Sequence, residues 1–343
     1  MNLTQVIAPL PKAELHLHLE GSLRPATVAE LAARHGVKVT EQEVAERYRY
    51  ADFHGFLEAY KWVTSFLRTP ADYALTTERL AEELLAQNVV HAEVTLSAGV
   101  MLWRSQDADA NLQAIHEAGL SARKRGLRMQ WIPDATRQFG AEAAMAVARH
   151  AVRCKSLGVV AFGMGGDELS IPAVEFREAF EYAAGEGLHR VSHAGEIGGP
   201  QEVRAAVELL GAERIGHGIA VMHDAALMQF LTERRIPLEI CPTSNLCTGA
   251  LARQLGKGEA RLEEHPLPRI LREGVPATLS TDDPAMFRTT LNDEYAVAQR
   301  LGLSLRETVH LAKASFEFAF LSRADKEALL AQFQQGLREH GLV

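Results

Sequence analysis

Along this chain, short apolar runs alternate with longer stretches whose apolar positions recur every three or four residues. The short runs predict strands at Glu14–Leu19, Val89–Leu96, Leu127–Pro133, Gly158–Gly163, His189–His193, Arg214–His217, Pro237–Cys241 and Ala277–Thr281. The longer stretches predict helices. Asp72–Gln87 sets Leu75, Leu80, Leu84 and Leu85 on helical spacing, and Asp107–Gly126, Ala141–Leu157, Pro172–Gly187, Gln201–Leu210 and Asp224–Arg235 follow suit. Strand then helix, repeated about eight times, is the order of an α/β barrel or a doubly wound sheet. Runs apolar on both faces suit parallel strands covered by helices, and the count favours a distorted (β/α)8 TIM-type barrel. The interval Ser22–Asn88 is far longer than a crossover needs and carries helical patterns at Pro25–His35 and Phe53–Leu67. Residues 23–88 are therefore expected to form a helical lid insertion over the barrel mouth, within a single domain spanning 1–343. Two further helices, Leu305–Phe320 and Arg323–His340, are expected at the C-terminus.

Composition narrows the class. At 343 residues, 47% hydrophobic and 23% charged, the chain can bury one large core. A net charge of −8 leaves no basic field for nucleic acid, and Arg123-Lys124-Arg125 and Arg234-Arg235 fit solvated helix ends. Three cysteines (Cys154, Cys241, Cys247) are too few and wrongly spaced for a disulfide framework or a cysteine zinc cage. The N-terminal stretch lacks a basic region and is broken by Pro9 and Pro11, unlike a signal peptide. No apolar run approaches the ~20 residues that span a bilayer. The expectation is a cytoplasmic enzyme with a small-molecule substrate and neither a nucleic-acid nor a membrane partner; oligomeric state has no signature in the chain.

Five segments put ionisable residues at or near predicted strand ends. In ELHLHLEGS (14–22), His16 and His18 are two apart and project to one face of a strand. Such a pair can converge on a metal or serve as hydrogen-bonded core histidines. In SHAGE (192–196), His193 ends a strand and Glu196 follows about a turn later. In RIGHG (214–218), His217 stands between two glycines that let other groups approach the backbone. In STDDP (280–284), Asp282 and Asp283 repel unless a cation or a shared proton holds them; a helix N-cap before Pro284 needs only one. GMGGDE (163–168) is a glycine-rich turn without the spacing of a phosphate loop.

Side chains at C-terminal strand ends face one another across the top of a barrel. His16, His18, His193 and Asp282 then make a nitrogen/oxygen set suited to one Zn²⁺ per chain, with Fe²⁺ or Mn²⁺ a poorer match. Such an ion lowers the pKa of bound water from about 15.7 to ~7. Glu196, His217 and Asp283 remain as acid/base groups beside it, which is the inventory of a metal-assisted hydrolase.

Taken in order, PKAELHLHLEGS, SHAGE, RIGHG, CPTSN (241–245) and STDDP resemble the adenosine deaminase family of zinc aminohydrolases over essentially the whole chain. Each motif is weak alone, and five in register are specific. The resemblance implies a distorted (β/α)8 barrel, zinc on His16, His18, His193 and Asp282, and replacement of the 6-amino group of a purine by water, with release of ammonia. It implies Glu196 as proton carrier to purine N1, which keeps negative charge off the ring. His217 would orient the attacking water, Asp283 would direct that water and bond purine N7, and the Gly166 N–H would meet N3. The H-x-E…P-C-x-x-C signature of cytidine-type deaminases is absent from the sequence.

Substrate choice rests on smaller differences. Adenosine deaminases carry Asp two residues after the second His, on the ribose 5′-hydroxyl; here that position is Glu20, and the acidic residue three before the GDE glycine is Gly163. The adenine (free base) branch shares HLHLEG, but typically has an acidic residue where this chain has Gly216, and lacks the turn kept here as Gly166-Asp167-Glu168. The chain also resembles deaminases of 6-amino-6-deoxyfutalosine, in the futalosine route to menaquinone. That substrate is an adenine nucleoside whose 5′ carbon bears a carboxyphenyl ketone. YRYADFHGFLEAYKWV (48–63) resembles that branch's lid, with Arg68, Arg104 and Arg137 as candidate partners for the carboxylate, while most of its aromatics are expected to pack lid helices together. The expectation is aminodeoxyfutalosine, adenosine close behind. Free adenine and a non-catalytic purine-binding barrel are the alternatives. A two-metal hydrolase bridged by a carboxylated lysine is disfavoured, because no lysine ends a predicted central strand.

Overall fold

The computed structural model describes residues 6–50 and 52–342. Residues 1–5, Ala51 and Val343 lie outside it, and with them the first residues of the stretch weighed as a leader and one position of the 48–63 segment. Eight strands follow one another around a single parallel sheet: β1 Lys12–His18, β2 Val89–Leu96, β3 Arg128–Thr136, β4 Ala161–Gly165, β5 His189–Ala194, β6 Arg214–His217, β7 Leu238–Ile240 and β8 Ala277–Leu279. The ring closes just past β8. His18 N–H donates to the Asp282 carbonyl at 2.8 Å, and Asp282 N–H to the His16 carbonyl at 3.0 Å. This is the distorted TIM-type barrel expected from the alternation, and its closing contact sets a β1 histidine pair directly against Asp282.

The strands form where both faces are apolar or small, as helices on the outside require: every position of β2 and β4 is buried. β4 begins at Ala161 rather than Gly158, because Gly158 adopts a left-handed φ of 85° at the turn that precedes the strand. Between β1 and β2 stand helices Pro25–Arg34, Glu41–Arg47, Phe53–Thr64 and Pro70–Ala86. Glu41–Arg47 escaped the sequence reading: it buries only Val44 and is started by a Thr40/Glu43 capping box. Short helices after the strands, Ala98–Trp103, Pro242–Cys247 and Pro284–Phe287, also escaped it, being too short to display a helical period. They are the elements that surround the barrel mouth. No helix among the described residues is long and apolar enough to cross a membrane.

Candidate active site

β1 carries His16 and His18 to the top of the barrel, β5 carries His193, and the turn after β8 carries Asp282. Their donor atoms meet. His18 Nε2 lies 3.3 Å from His193 Nε2 and 3.3 Å from Asp282 Oδ1, and His16 Nε2 lies 3.4 Å from the same oxygen. Bonds of about 2.0–2.1 Å at tetrahedral angles separate ligand atoms by about 3.3–3.4 Å, so these spacings fit a four-coordinate metal. The hydrogen bonds agree. His193 Nδ1 faces the Met164 carbonyl at 3.2 Å; a carbonyl only accepts, so Nδ1 carries the hydrogen and Nε2 points a lone pair inward. His16 Nδ1 faces Glu239 Oε2 at 2.9 Å, and its buried Nε2 has no hydrogen-bond partner. Lone pairs and a carboxylate oxygen aimed at one another call for a cation between them.

Protonation follows the same pattern. Burial pushes His18 down to about 4 and His193 well below its ordinary range, so both rings are neutral, as ligation requires. At His16 burial opposes the charged ring, but the facing Asp282 and Glu239 carboxylates outweigh it and lift the ring to about 10. The surroundings of His16 therefore stabilise one positive charge, which a bound metal supplies while displacing the proton.

His217, at the end of β6, also brings a ring nitrogen to within 4.8 Å of donors on His16, His193 and Asp282. Its tautomer sets it apart. Leu267 N–H donates to His265 Nδ1 at 3.2 Å, so His265 carries its hydrogen on Nε2 and donates to Asn245 Oδ1 at 3.2 Å. Asn245 then presents its Nδ2–H to His217 Nδ1 at 3.0 Å, leaving the His217 hydrogen on Nε2. That N–H sits 3.7 Å from both Glu196 Oε2 and Asp282 Oδ2. Burial pushes His217 to about 3, so the ring is neutral, and the hydrogen that Asn245 leaves on Nε2 makes that nitrogen a donor. His217 and Asp282 both hold left-handed backbone, at φ 59° and 64°, strain of the kind retained at functional sites.

Glu196 follows β5 in a turn pinned by Glu168, whose carboxylate accepts the N–H groups of Gly195, Glu196 and Ile197 at 2.6, 2.8 and 3.0 Å. Burial, then the neighbouring Asp282 charge, pushes the Glu196 carboxyl well above its ordinary range, which favours its protonated form. The adjacent aspartates divide. Burial works against the Asp282 charge, but His16 at 3.4 Å and the other surrounding imidazoles hold its pKa low. Burial and the Asp282 charge push Asp283 well up, and its Oδ1 is buried without a partner. The surroundings thus favour charge on Asp282 and a proton on Glu196 and Asp283.

These groups open onto a cavity of about 480 Å³. Gly166 lines it with backbone at φ +95°, where a Cβ would come within 2.4 Å of Gln138 Oε1. A Cβ on Gly216 would lie 2.6 Å from His16 Cε1, so the residue before His217 must stay small for His16 to take its place. Glu20 departs from expectation. It does not line the cavity; Oε1 accepts from Ser97 N–H at 2.9 Å and Oε2 lies 3.5 Å from Tyr60 Oη, so it braces the two wall residues Ser97 and Tyr60 from behind. Asp134, at the end of β3, was missed, though a carboxylate inside the apolar run WIPDA was the available signal. It lines the cavity, and Oδ1 lies 2.8 Å from where a Cβ on Gly163 would stand, so the space left at 163 is filled from the neighbouring strand.

The segment 48–63 divides. Tyr48 and Tyr50 donate to the carbonyls of Leu23 and Met286, and Trp62 packs on Phe66 under Arg47, as packing residues. Phe53, Phe56 and Tyr60 line the cavity. Trp103, 67% exposed, stacks on Phe139 in the same wall. Of the three arginines, only Arg104 lines the cavity. Arg137 is buried in an ion pair with Glu202 at 2.6 Å and a bond to the Ile171 carbonyl, and Arg68 bonds the Ser65 carbonyl at an exposed position. Neither lines the cavity.

A parallel barrel with an imidazole/carboxylate group able to hold a metal and a buried glutamate at the C-terminal ends of its strands defines a metal-dependent hydrolase. Residues 11–335 match the family model "Adenosine deaminase". An aminodeoxyfutalosine deaminase of Streptomyces coelicolor is 42% identical over 327 residues, covering 93% of this chain and 82% of that protein. An adenine deaminase of the same organism is 37% identical, covering 95% and 94%. The crystal structure of adenine deaminase from Arthrobacter aurescens superposes with a TM-score of 0.89 at 29% identity, over 96% of this chain and 99% of that one. The chain belongs to the adenosine deaminase family, and it is a metal-dependent aminohydrolase.

Proposed function

We propose that this chain is a zinc enzyme that hydrolyses the 6-amino group of a purine nucleoside, and that its substrate is 6-amino-6-deoxyfutalosine. The observation that carries the reading is the set of three imidazole nitrogens and one carboxylate oxygen at 3.3–3.4 Å spacings, beside buried Glu196. An all-nitrogen/oxygen tetrahedral set suits zinc. Held by His16, His18, His193 and Asp282, a zinc ion would supply a water of lowered pKa and a positive charge. The protein does the rest. Glu196 delivers its proton to N1 as C6 becomes tetrahedral. His217 Nε2–H stabilises the charge developing beside it, held in that role by Asn245. Asp283, neutral, offers a hydrogen to N7, and Gly166 N–H meets N3.

The cavity supports a nucleoside with a large 5′ group, under the helix Phe53–Thr64 acting as a lid. A volume of about 480 Å³ exceeds what a free base fills. Phe53, Phe56 and the Trp103–Phe139 stack offer aromatic faces to an aryl ketone, with Arg104 and Lys61 as cations for its carboxylate. The test is ammonia release, followed by the ultraviolet shift to the 6-oxopurine, with aminodeoxyfutalosine, adenosine and adenine on zinc-loaded protein. Aminodeoxyfutalosine should show the largest kcat/KM. Preference for adenosine or adenine overturns the substrate, and no turnover of any overturns the reaction.

A further inference from the structure

Below the metal centre the barrel interior holds charges that no step above uses. Arg214, the first residue of β6, is 1% exposed and lies between two carboxylates that are fully buried. Its Nη1 is 2.6 Å from Glu93 Oε2 and its Nε is 2.6 Å from Glu239 Oε1. The guanidinium also rests on the ring of Phe320, 3.8 Å from the centroid, and donates to the Phe318 carbonyl at 3.0 Å. Glu239 is the shared member: one oxygen faces Arg214 and the other faces His16 Nδ1 at 2.9 Å. A line of contacts thus runs from the segment after the helix Leu305–Phe318, through Arg214 and Glu239, to a residue of the metal site.

We infer that Arg214 is a positioning residue for the metal centre, acting through Glu239: by holding one carboxylate oxygen it presents the other to His16 and so aims His16 Nε2 at the cation. The inference rests on the reading of His16 as a ligand. Guanidinium has donors and no acceptor, so the carboxylate against it is locked as an acceptor on that side. The remaining Glu239 oxygen then takes the His16 Nδ1 hydrogen, which leaves the Nε2 lone pair for the metal. Leaving Arg214 out would bury Glu93 and Glu239 without a counter-charge, and Glu239 would be free to turn away from His16. Glu93 touches Arg214 but not His16, which makes it the internal control.

The experiment measures metal release rather than turnover. Full-length protein carrying one zinc per chain is mixed with excess chromogenic chelator, and the release rate is followed for wild type, Arg214→Met, Glu239→Gln, their double variant and Glu93→Gln. Partners one step beyond a ligand typically change metal affinity 10–100-fold. Arg214→Met and Glu239→Gln should each release zinc about 10–100-fold faster, with the double variant no faster than the worse single one, since both break one link. Glu93→Gln should stay near the wild-type rate. A folded Arg214→Met with wild-type release overturns the inference. So does Glu93→Gln matching Glu239→Gln, which would mean a general loosening of the barrel floor. Should Arg214→Met not fold, Arg214→Lys decides: it keeps the charge but not the fork, and unchanged release overturns the inference. Failure of wild type to take up zinc removes the metal-site reading itself, a different result from wild-type protein that holds zinc regardless of residue 214.

Discussion

At the floor of the barrel, Lys12 gives its ammonium hydrogens to the carbonyls of Ile7, Ala8 and Leu10, and Arg214 is enclosed by Glu93, Glu239 and Phe320. At the mouth, equally buried groups are left wanting: His16 Nε2 and Asp283 Oδ1 have no partner, and the nitrogens of His18 and His193 face each other. Both ends carry the desolvation cost of burying polar groups. The floor offsets part of it through the two Arg214 ion pairs, although Arg214 Nη2 and His91 Nδ1 have no hydrogen-bond partner there and burial lowers Lys12 to about 7, whereas the mouth directs donors from separate strands at a common point. Left-handed backbone occurs at both ends, at His217 and Asp282 by the mouth and at Asn88 and Arg235 before β2 and β7. Neither burial nor a single unanswered polar atom marks function, since Trp131 Nε1 and Tyr295 Oη are also buried without partners; several such groups converging on one point do.

That contrast can be broken at the mouth. His16→Ala should abolish metal binding and turnover together, measured by metal analysis and ammonia release; stoichiometric metal in the folded variant would remove His16 from the site. Glu196→Gln should keep the metal and lose about 10²–10⁴-fold in kcat, and retained turnover would assign the proton to another group. Asn245→Ala should lower kcat about 10–100-fold with metal content unchanged, because His217 is then free to present a bare Nε2. Asn245→Asp sharpens the same point. A carboxylate there accepts from His217 Nδ1, strips the hydrogen from Nε2 and should damage kcat as much as alanine does.

The smallest expected effect lies away from both ends. Glu294 is fully buried, bonded by Thr289 Oγ1 at 2.5 Å and Thr243 N–H at 3.3 Å, and burial raises it from an ordinary 4.5 to about 7. The folded state then holds this proton more tightly than the unfolded chain. Its contribution to stability is complete below about pH 4.5 and is lost as pH rises through about 7, a change of about 3 kcal/mol at most. The stability difference between wild type and Glu294→Gln, from urea unfolding, should therefore shift against wild type between pH 4.5 and 7.5. A difference constant across that range would show Glu294 to be ionised in the folded protein throughout.

Much of the barrel is legible along the chain because strands and long helices write their burial into local periodicity; Val89–Leu96 and Arg214–His217 are strands over those same residues. The short helices around the mouth are not legible, since a single turn or two has no period to read. Motif spacing brought forward His16, His18, His193, Glu196, His217, Asp282 and Asp283, and the barrel topology carries all of them to one end. Local sequence determined which residue types stand at the strand ends. Tertiary structure decided what each one does there. His217 and the histidines proposed as ligands are the same side chain, told apart by a hydrogen bond donated by Asn245 to one and by acceptors, Glu239 and the Met164 carbonyl, for the others. Glu20 stands behind the cavity wall because Ser97, 77 residues on, offers it an N–H. Asp134 entered the cavity because Gly163 on the next strand leaves room for it. Roles of this kind depend on where hydrogens and lone pairs point, which distant residues set, and no pattern along the chain records that direction.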